Sequence, residues 1–144
     1  MAEVYVEGLD KLLRKLDELG QHDAVQHGLE TAAIRVETAA KEKCPVDDGL
    51  LRANITHRVM FNIAVIGANT EYAPYVELGT GLFAVNGDGK KDVPWVYQDA
   101  KGDWHTTSGQ HPQPFLYPAL TENTNKIADD VKAGILQYIK GLVK

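Results

Sequence analysis

The spacing of the hydrophobic residues changes twice along this 144-residue sequence, and this limits the possible folds more than any other feature. From Leu9 to Ala40 the apolar residues recur every three or four positions, which is typical of amphipathic helices. Residues 53–61 and 63–68 have the alternating or continuously apolar pattern of strands. The helical spacing returns near Pro118. Helices and strands are thus segregated along the chain, which predicts an α+β domain.

Two helices are predicted before the strands. The first has leucines on one face, at positions 9, 12, 13, 16 and 19. The second begins at Asp23 and ends before Pro45, because the residue that precedes a proline avoids the α-helical region. Half of its apolar face is alanine, so a neighbouring element can approach it closely.

The rest of the chain predicts an antiparallel sheet, a second hairpin and a long helix. Residues 53–61 and 63–68 form the sheet, with Asn62 at their turn. Residues 94–107 form a protruding hairpin that turns at Ala100-Lys101-Gly102 and places Tyr97 nearly opposite Trp104. The helix from about Pro118 is expected to pack on the sheet and on the second helix. We predict a single domain over residues 1–144, with a hairpin insertion at about 82–112.

Composition excludes several classes of protein. The 15 basic and 20 acidic residues give a net charge of −5, which argues against a protein that mainly grips nucleic-acid phosphates. The longest apolar stretch, residues 63–68, is far too short to span a membrane. The only cysteine, Cys44, cannot form an internal disulfide, so a reducing cytosolic origin is expected.

No motif of a known catalytic or metal site stands out. The five histidines lack the HExxH spacing, Cys44 has no CxxC partner, and residues 86–90 lack the glutamate that closes a calcium loop. We therefore predict no catalytic residue, cofactor or metal. A small cytosolic enzyme that uses Cys44, or a His/Asp pair, stays open as an alternative.

Three segments carry more turn-forming and aromatic residues than ordinary loops need. They are residues 44–52 (CPVDDGLLR), 72–80 (YAPYVELGT) and 114–120 (PFLYPAL). Arg52 is the only cation of the first segment and Glu77 the only charge of the second, so we expect these two side chains to form an ion pair.

In this order, the three motifs resemble the tail-completion, or head–tail joining, proteins of long-tailed bacteriophages and prophages, which are similar in role to the protein-Z class of phage lambda. The resemblance begins at Val6-Glu7-Gly8-Leu9 and covers nearly the whole chain. The residues that match the family motifs are Pro45, Asp47, Gly49, Leu51 and Arg52, then Tyr72, Ala73, Glu77, Gly79 and Thr80, then Pro114, Phe115 and Pro118.

The resemblance implies a virion structural protein of the neck or upper tail, made in the bacterial cytoplasm, that joins the tail to the DNA-filled head. It implies a ring of identical copies, with a hexamer as the expected form and DNA passing through it. The implied partners are head-closure or connector proteins and tail-terminator or tail-tube proteins; a tail-terminator or minor tail protein is the alternative within the class. Neither sequence-specific DNA binding nor a membrane partner is expected.

The protruding hairpin is the candidate joining surface. Its aromatic residues are Trp95, Tyr97 and Trp104. An isolated two-stranded ribbon is only marginally stable in water, and aromatic residues are enriched at protein interfaces. We therefore expect the hairpin to be ordered by a partner subunit.

Overall fold

In the computed structural model, helix α2 (His22–Lys43) is the element on which two helices at the C-terminal end, the first helix and the first two strands pack. The structure describes residues 2–18, 20, 22–47 and 49–142. In chain order its elements are α1 (Leu9–Glu18), α2, α3 (Leu50–Ala53), β1 (Ile55–Met60), β2 (Ile63–Ala68), α4 (Ala73–Leu78), a 3₁₀ turn (Gly81–Phe83), β3 (Trp95–Gln98), β4 (Trp104–Thr107), α5 (Leu116–Thr121) and α6 (Thr124–Leu142). The predicted α+β class is confirmed. Leu19 and Asp48, on which parts of the sequence prediction fall, lie outside the described residues.

The final helix α6 packs on α2 because glycines let the two backbones approach closely. A Cβ added to Gly28 of α2 would lie 2.5 Å from the Val131 carbonyl oxygen, and one added to Gly134 would lie 2.7 Å from the Gly28 Cα. Val131 and Ile135 of α6 are buried beside this contact. The predicted packing on the second helix is confirmed. Packing of the final helix on the sheet is not observed as a main contact, because α2 is the helix that covers the sheet.

Strands β1 and β2 form a two-stranded antiparallel sheet, in a register that runs from Ile55 opposite Ala68 to Met60 opposite Ile63. Asn62 lies at the turn, as the sequence predicts, but Phe61, which was assigned to the first strand, is also part of the turn and takes a positive φ of 53°. Along β1 the inward residues are more buried than the outward ones, and Ile55 is completely buried. One face of this sheet packs on α2 and the other stays exposed.

Two predicted boundaries are wrong for reasons of local backbone chemistry. Residues 50–53, assigned in part to the first strand, form the single helical turn α3, which follows Gly49 at a φ of 82°. The aromatic segment 72–80, interpreted as a turn, contains helix α4, which ends at Gly79 with a φ of 74°.

The single long C-terminal helix is in fact two helices. The Asn123 side chain donates a hydrogen bond to the Ala119 carbonyl at 2.8 Å, and the Thr124 hydroxyl donates to the Thr121 carbonyl at 3.0 Å. Such side chains compete with the helical backbone for its hydrogen bonds. The helix therefore breaks between α5 and α6, and α6 begins at Thr124.

Strands β3 and β4 form the predicted hairpin, which we call the ribbon (residues 95–107). Within the part of the chain that the structure describes, its strands make extensive contacts only with each other. The register differs from the prediction, because Tyr97 lies opposite His105 and Trp104 lies opposite Gln98. The loop is longer than predicted: it is closed by a hydrogen bond from the Asp99 amide to the Asp103 carbonyl at 2.9 Å.

Candidate assembly site

The first motif ties the end of α2 to the start of the sheet. Cys44 is buried, and its backbone amide still bonds the Ala40 carbonyl at 2.9 Å. After Pro45 and the exposed Asp47, Gly49 turns the chain so that Leu51 enters the core. The Arg52 guanidinium then donates a hydrogen bond back to the Cys44 carbonyl at 3.3 Å. This hydrogen bond joins the last residue of the motif to its first.

The second and third motifs meet at the carboxylate of Glu77. Its Oε2 accepts hydrogen bonds from the backbone amides of Phe115 at 2.7 Å and Leu116 at 2.9 Å, and its Oε1 accepts one from the Tyr117 amide at 2.8 Å. These amides begin helix α5 and have no partner within it. The predicted Arg52–Glu77 ion pair is therefore wrong: Arg52 bonds a backbone carbonyl of its own motif, and Glu77 bonds backbone amides of the third motif.

The other residues of these two motifs are placed around the Glu77 contact. Ala73 of α4 and Phe115 are buried, and Phe115 has no exposed surface. Tyr72 precedes α4 and is partly exposed. Pro114 is exposed, and Pro118 lies in the first turn of α5, where the missing amide is harmless.

A second group of backbone contacts closes the base of the insertion that carries the ribbon. The Thr80 amide donates to the Gln110 carbonyl at 2.9 Å, and the Gln110 amide donates to the Thr80 hydroxyl, also at 2.9 Å. The Gln113 amide donates to the Val76 carbonyl at 2.8 Å. The two ends of the insertion are thus held side by side.

Glycines make this close approach possible. A Cβ on Gly79 would lie 2.9 Å from the Gln110 carbonyl oxygen, one on Gly81 only 2.2 Å from the Ser108 oxygen, and one on Gly109 only 2.1 Å from the Thr80 oxygen. All three glycines also take positive φ. Side chains at these positions would separate the two ends of the insertion.

The ribbon presents different side chains on its two faces. On one face, Tyr97 stacks on His105 with ring centroids 5.3 Å apart, and the Lys90 ammonium lies 5.1 Å from the centre of the Trp95 ring. On the other face, Val96 and Trp104 are 59% and 69% exposed. Of the three predicted interface aromatics, Trp104 is therefore the most exposed and Trp95 the least.

The loop of the ribbon is organised by Asp99. Its Oδ1 accepts hydrogen bonds from the amides of Lys101 and Asp103, each at 2.9 Å, and its Oδ2 lies 2.8 Å from His105 Nε2. The hydrogen bond from His105 and those from the loop amides hold the pKa of Asp99 below its usual value. The loop is thus ordered by its own contacts.

A polar cluster that the sequence did not reveal fastens the sheet to α2. His57 of β1 lies between Glu30, whose Oε1 is 2.6 Å from Nε2, and Glu37, which bonds Nδ1. Hydrogen bonding to Glu30 is the largest cause of the raised pKa of His57; burial opposes it and Glu37 adds to it. Burial alone would raise the pKa of Glu37, but hydrogen bonds from Lys41 and His57 lower it overall. The sequence feature that could have predicted this cluster is a histidine on the inward face of a strand, because a polar group there needs a partner.

The residues of the enzyme alternative make structural contacts. Cys44 is 3% exposed, and burial raises the pKa of its thiol, although nearby Arg52 opposes this. The His105–Asp99 pair organises the exposed ribbon loop. Among the described residues, no group of three or more His, Cys, Asp or Glu side chains is placed to hold a metal ion. No helix in the described ranges is both long and apolar enough to cross a membrane.

Comparison with known proteins agrees with the motif order. Residues 10–79, which run from α1 to the end of α4, match the model of the family described as "Bacteriophage HK97-gp10, putative tail-component". Neither the curated proteins nor the solved structures yield a match. The match includes the first motif and all but the last residue of the second, and the third motif is joined to the second through Glu77. It confirms the resemblance to bacteriophage tail proteins over residues 10–79, and the family indicates a bacteriophage tail component, a structural protein of the virion.

Proposed function

We propose that this chain is a subunit of the virion neck or upper tail, that it joins the finished tail to the DNA-filled head, and that it acts as a ring of identical copies. In this role it works by protein–protein contacts and has no catalytic activity. Its partners are the head-closure or connector proteins on one side and the tail-terminator or tail-tube proteins on the other.

The observation that carries the proposal is that the ribbon is held firmly at its base and exposes apolar side chains beyond it. The base is fixed by the Glu77 contacts and by the reciprocal bonds between Thr80 and Gln110. Beyond it, the ribbon exposes Trp104 and Val96 to solvent. Large apolar side chains that stand out from an ordered element are typical of a contact surface, because a partner must cover them.

The net charge of −5 is compatible with a ring through which DNA moves. Tight binding to DNA requires many basic contacts to phosphates. An acidic subunit offers few of them, so the DNA can slide past it.

The test is complementation of a phage that lacks this gene. We expect such a phage to accumulate filled heads and finished tails that do not join, and the unmodified chain to restore infectious particles. The Trp104→Ala chain should keep its circular dichroism spectrum but restore at most about one hundredth of the titre. Lys101→Ala, on the exposed turn of the same ribbon, is the matched control and should restore the full titre.

Two results would contradict the proposal. Tails of uncontrolled length in the deleted phage would instead identify a tail-terminator function, because a terminator limits the growth of the tube. Full complementation by Trp104→Ala would show that the ribbon is not the joining surface.

A further inference from the structure

A second apolar surface is left uncovered on the outer face of the β1–β2 sheet. Its apolar members are Met60, Phe61, Ile63 and Val65, which are 47%, 84%, 57% and 52% exposed. The first three lie together at the hairpin turn, and Val65 is opposite Arg58. Each strand of this sheet also has one edge with no neighbouring strand in the described part of the chain. We call this the outer sheet face (residues 56, 58, 60, 61, 63 and 65).

We propose that the outer sheet face of one copy receives the ribbon of a second copy of the same chain. This inference rests on the proposed function, since it names the contact that builds the ring. The two surfaces lie on different elements, and both are exposed in the single chain. A contact between two different patches of identical subunits is heterologous, and such contacts close into rings when the rotation between copies allows it.

The charges of the two surfaces are complementary. Residues 55–68 contain Arg58 but no carboxylate, whereas residues 95–107 contain Asp99 and Asp103 against Lys101. Arg58 is exposed and forms no ion pair with any residue that the structure describes. Asp103 is exposed at the end of the ribbon loop and precedes Trp104 in the chain. When Trp104 of one copy lies on the outer sheet face of another, this acidic loop lies near the guanidinium of Arg58, which favours this pairing over a sheet-to-sheet contact between two arginines.

The available area fits an interface between copies. At about 150–200 Å² of accessible surface per large side chain, the four apolar residues of the outer sheet face expose roughly 400 Å². Trp104 and Val96, which share one face of the ribbon, expose roughly 220 Å² by the same measure. A stable interface buries about 800 Å² per partner, of which somewhat more than half is apolar. The outer sheet face thus supplies most of the apolar area that one such interface needs, and the Trp104 face of the ribbon supplies about half of it.

The experiment is disulfide trapping between copies. Val65 and Val96 are both exposed, so Val65→Cys and Val96→Cys should not disturb the fold, and buried Cys44 should stay unreactive. After mild oxidation, the double variant Val65→Cys/Val96→Cys should give a ladder of covalent multimers, at least tenfold more abundant than with either single variant. The control pair Thr38→Cys/Val96→Cys, which places the first cysteine on the exposed side of α2, should give no ladder.

Charge reversal gives a second, independent measurement. Arg58→Glu should weaken self-association at least tenfold in sedimentation, and adding Asp103→Arg should restore it. Rings that assemble without a disulfide ladder would overturn the inference but leave the proposed function intact. Covalent dimers from Val65→Cys alone would overturn it in favour of sheet-to-sheet pairing. A chain that stays monomeric at all concentrations would overturn both the inference and the ring of the proposed function.

Discussion

Removing the Glu77 carboxylate should be among the most destabilising single changes on the surface of this protein. The carboxylate accepts three backbone hydrogen bonds from Phe115, Leu116 and Tyr117 at the start of α5. The first two of these bonds are partly buried, whereas the third is exposed. In Glu77→Ala, water can replace the acceptor for the exposed Tyr117 amide more readily than for the other two.

The expected magnitude follows from this count. A hydrogen bond to a charged group contributes about 1.5 to 3 kcal/mol, and a buried amide left without a partner loses that contribution. Two such amides give a loss of about 3 to 6 kcal/mol in the free energy of unfolding for Glu77→Ala. For a chain of this length, each kcal/mol corresponds to about 3 °C, so the melting temperature should fall by about 10 to 20 °C. Glu77→Gln keeps one acceptor oxygen and should lose about half as much.

The assay is urea unfolding followed by circular dichroism, with Glu71→Ala as the matched control. Glu71 is an exposed glutamate shortly before α4, so its removal should change stability by less than about 0.5 kcal/mol. Amide hydrogen exchange at Phe115 and Leu116 should also accelerate in Glu77→Gln. If Glu77→Ala unfolds at the same urea concentration as Glu71→Ala, the carboxylate does not hold α5 and the argument fails.

Two further predictions concern the packing of α2. Gly134→Ala should lower the free energy of unfolding in urea by about 1 to 3 kcal/mol, because the new Cβ would lie 2.6 Å from the Thr31 hydroxyl. The control is Gly141→Ala, which has open space around it and should be neutral or slightly stabilising. The second prediction concerns pH. Folding raises the pKa of His57, so its contribution to the free energy of unfolding is complete below its unfolded pKa of about 6.5 and is lost as the pH rises through the folded pKa. Folding lowers the pKa of Glu37, so the contribution of Glu37 is present above about pH 4.3. The urea midpoint should therefore be higher at pH 6 than at pH 9, and His57→Gln should remove most of that difference.

Hydrophobic periodicity predicted the main helices and strands correctly, because the elements that pack on α2 each bury one apolar face against it. The exposed and buried residues of β1 alternate as the sequence predicts, and β2 has the predicted bounds of 63–68. The helices α3 and α4 were missed because each is a single short turn of four to six residues, too short for a period to appear. Their starts and ends depend on the backbone angles of Gly49 and Gly79 and on hydrogen bonds that no spacing reveals.

The contacts of charged residues were harder to predict than the elements. Arg52 and Glu77 were expected to pair because each is the only charge of its sign in an otherwise apolar or turn-rich segment. This expectation considered only charged side chains as partners. The unpaired backbone amides at the start of a helix are equally good partners for a carboxylate. The break before Thr124 was missed for the same reason, because side chains there bond the preceding carbonyls.

Residues of the family motifs make contacts within the chain, which we call the frame, whereas the surfaces that we propose for assembly lie outside the motifs. Glu77, Thr80 and Gly79 are occupied by contacts within the chain, which fix where the ribbon leaves the core. Trp104 and Val65 belong to none of the motifs and are exposed. Substitutions in the frame should change stability and the direction of the ribbon, whereas substitutions on the exposed residues should change assembly and leave stability unaltered. Because the first kind of substitution should change stability and the second kind should change assembly, urea unfolding and sedimentation can distinguish the residues of the frame from those of the proposed contact surface.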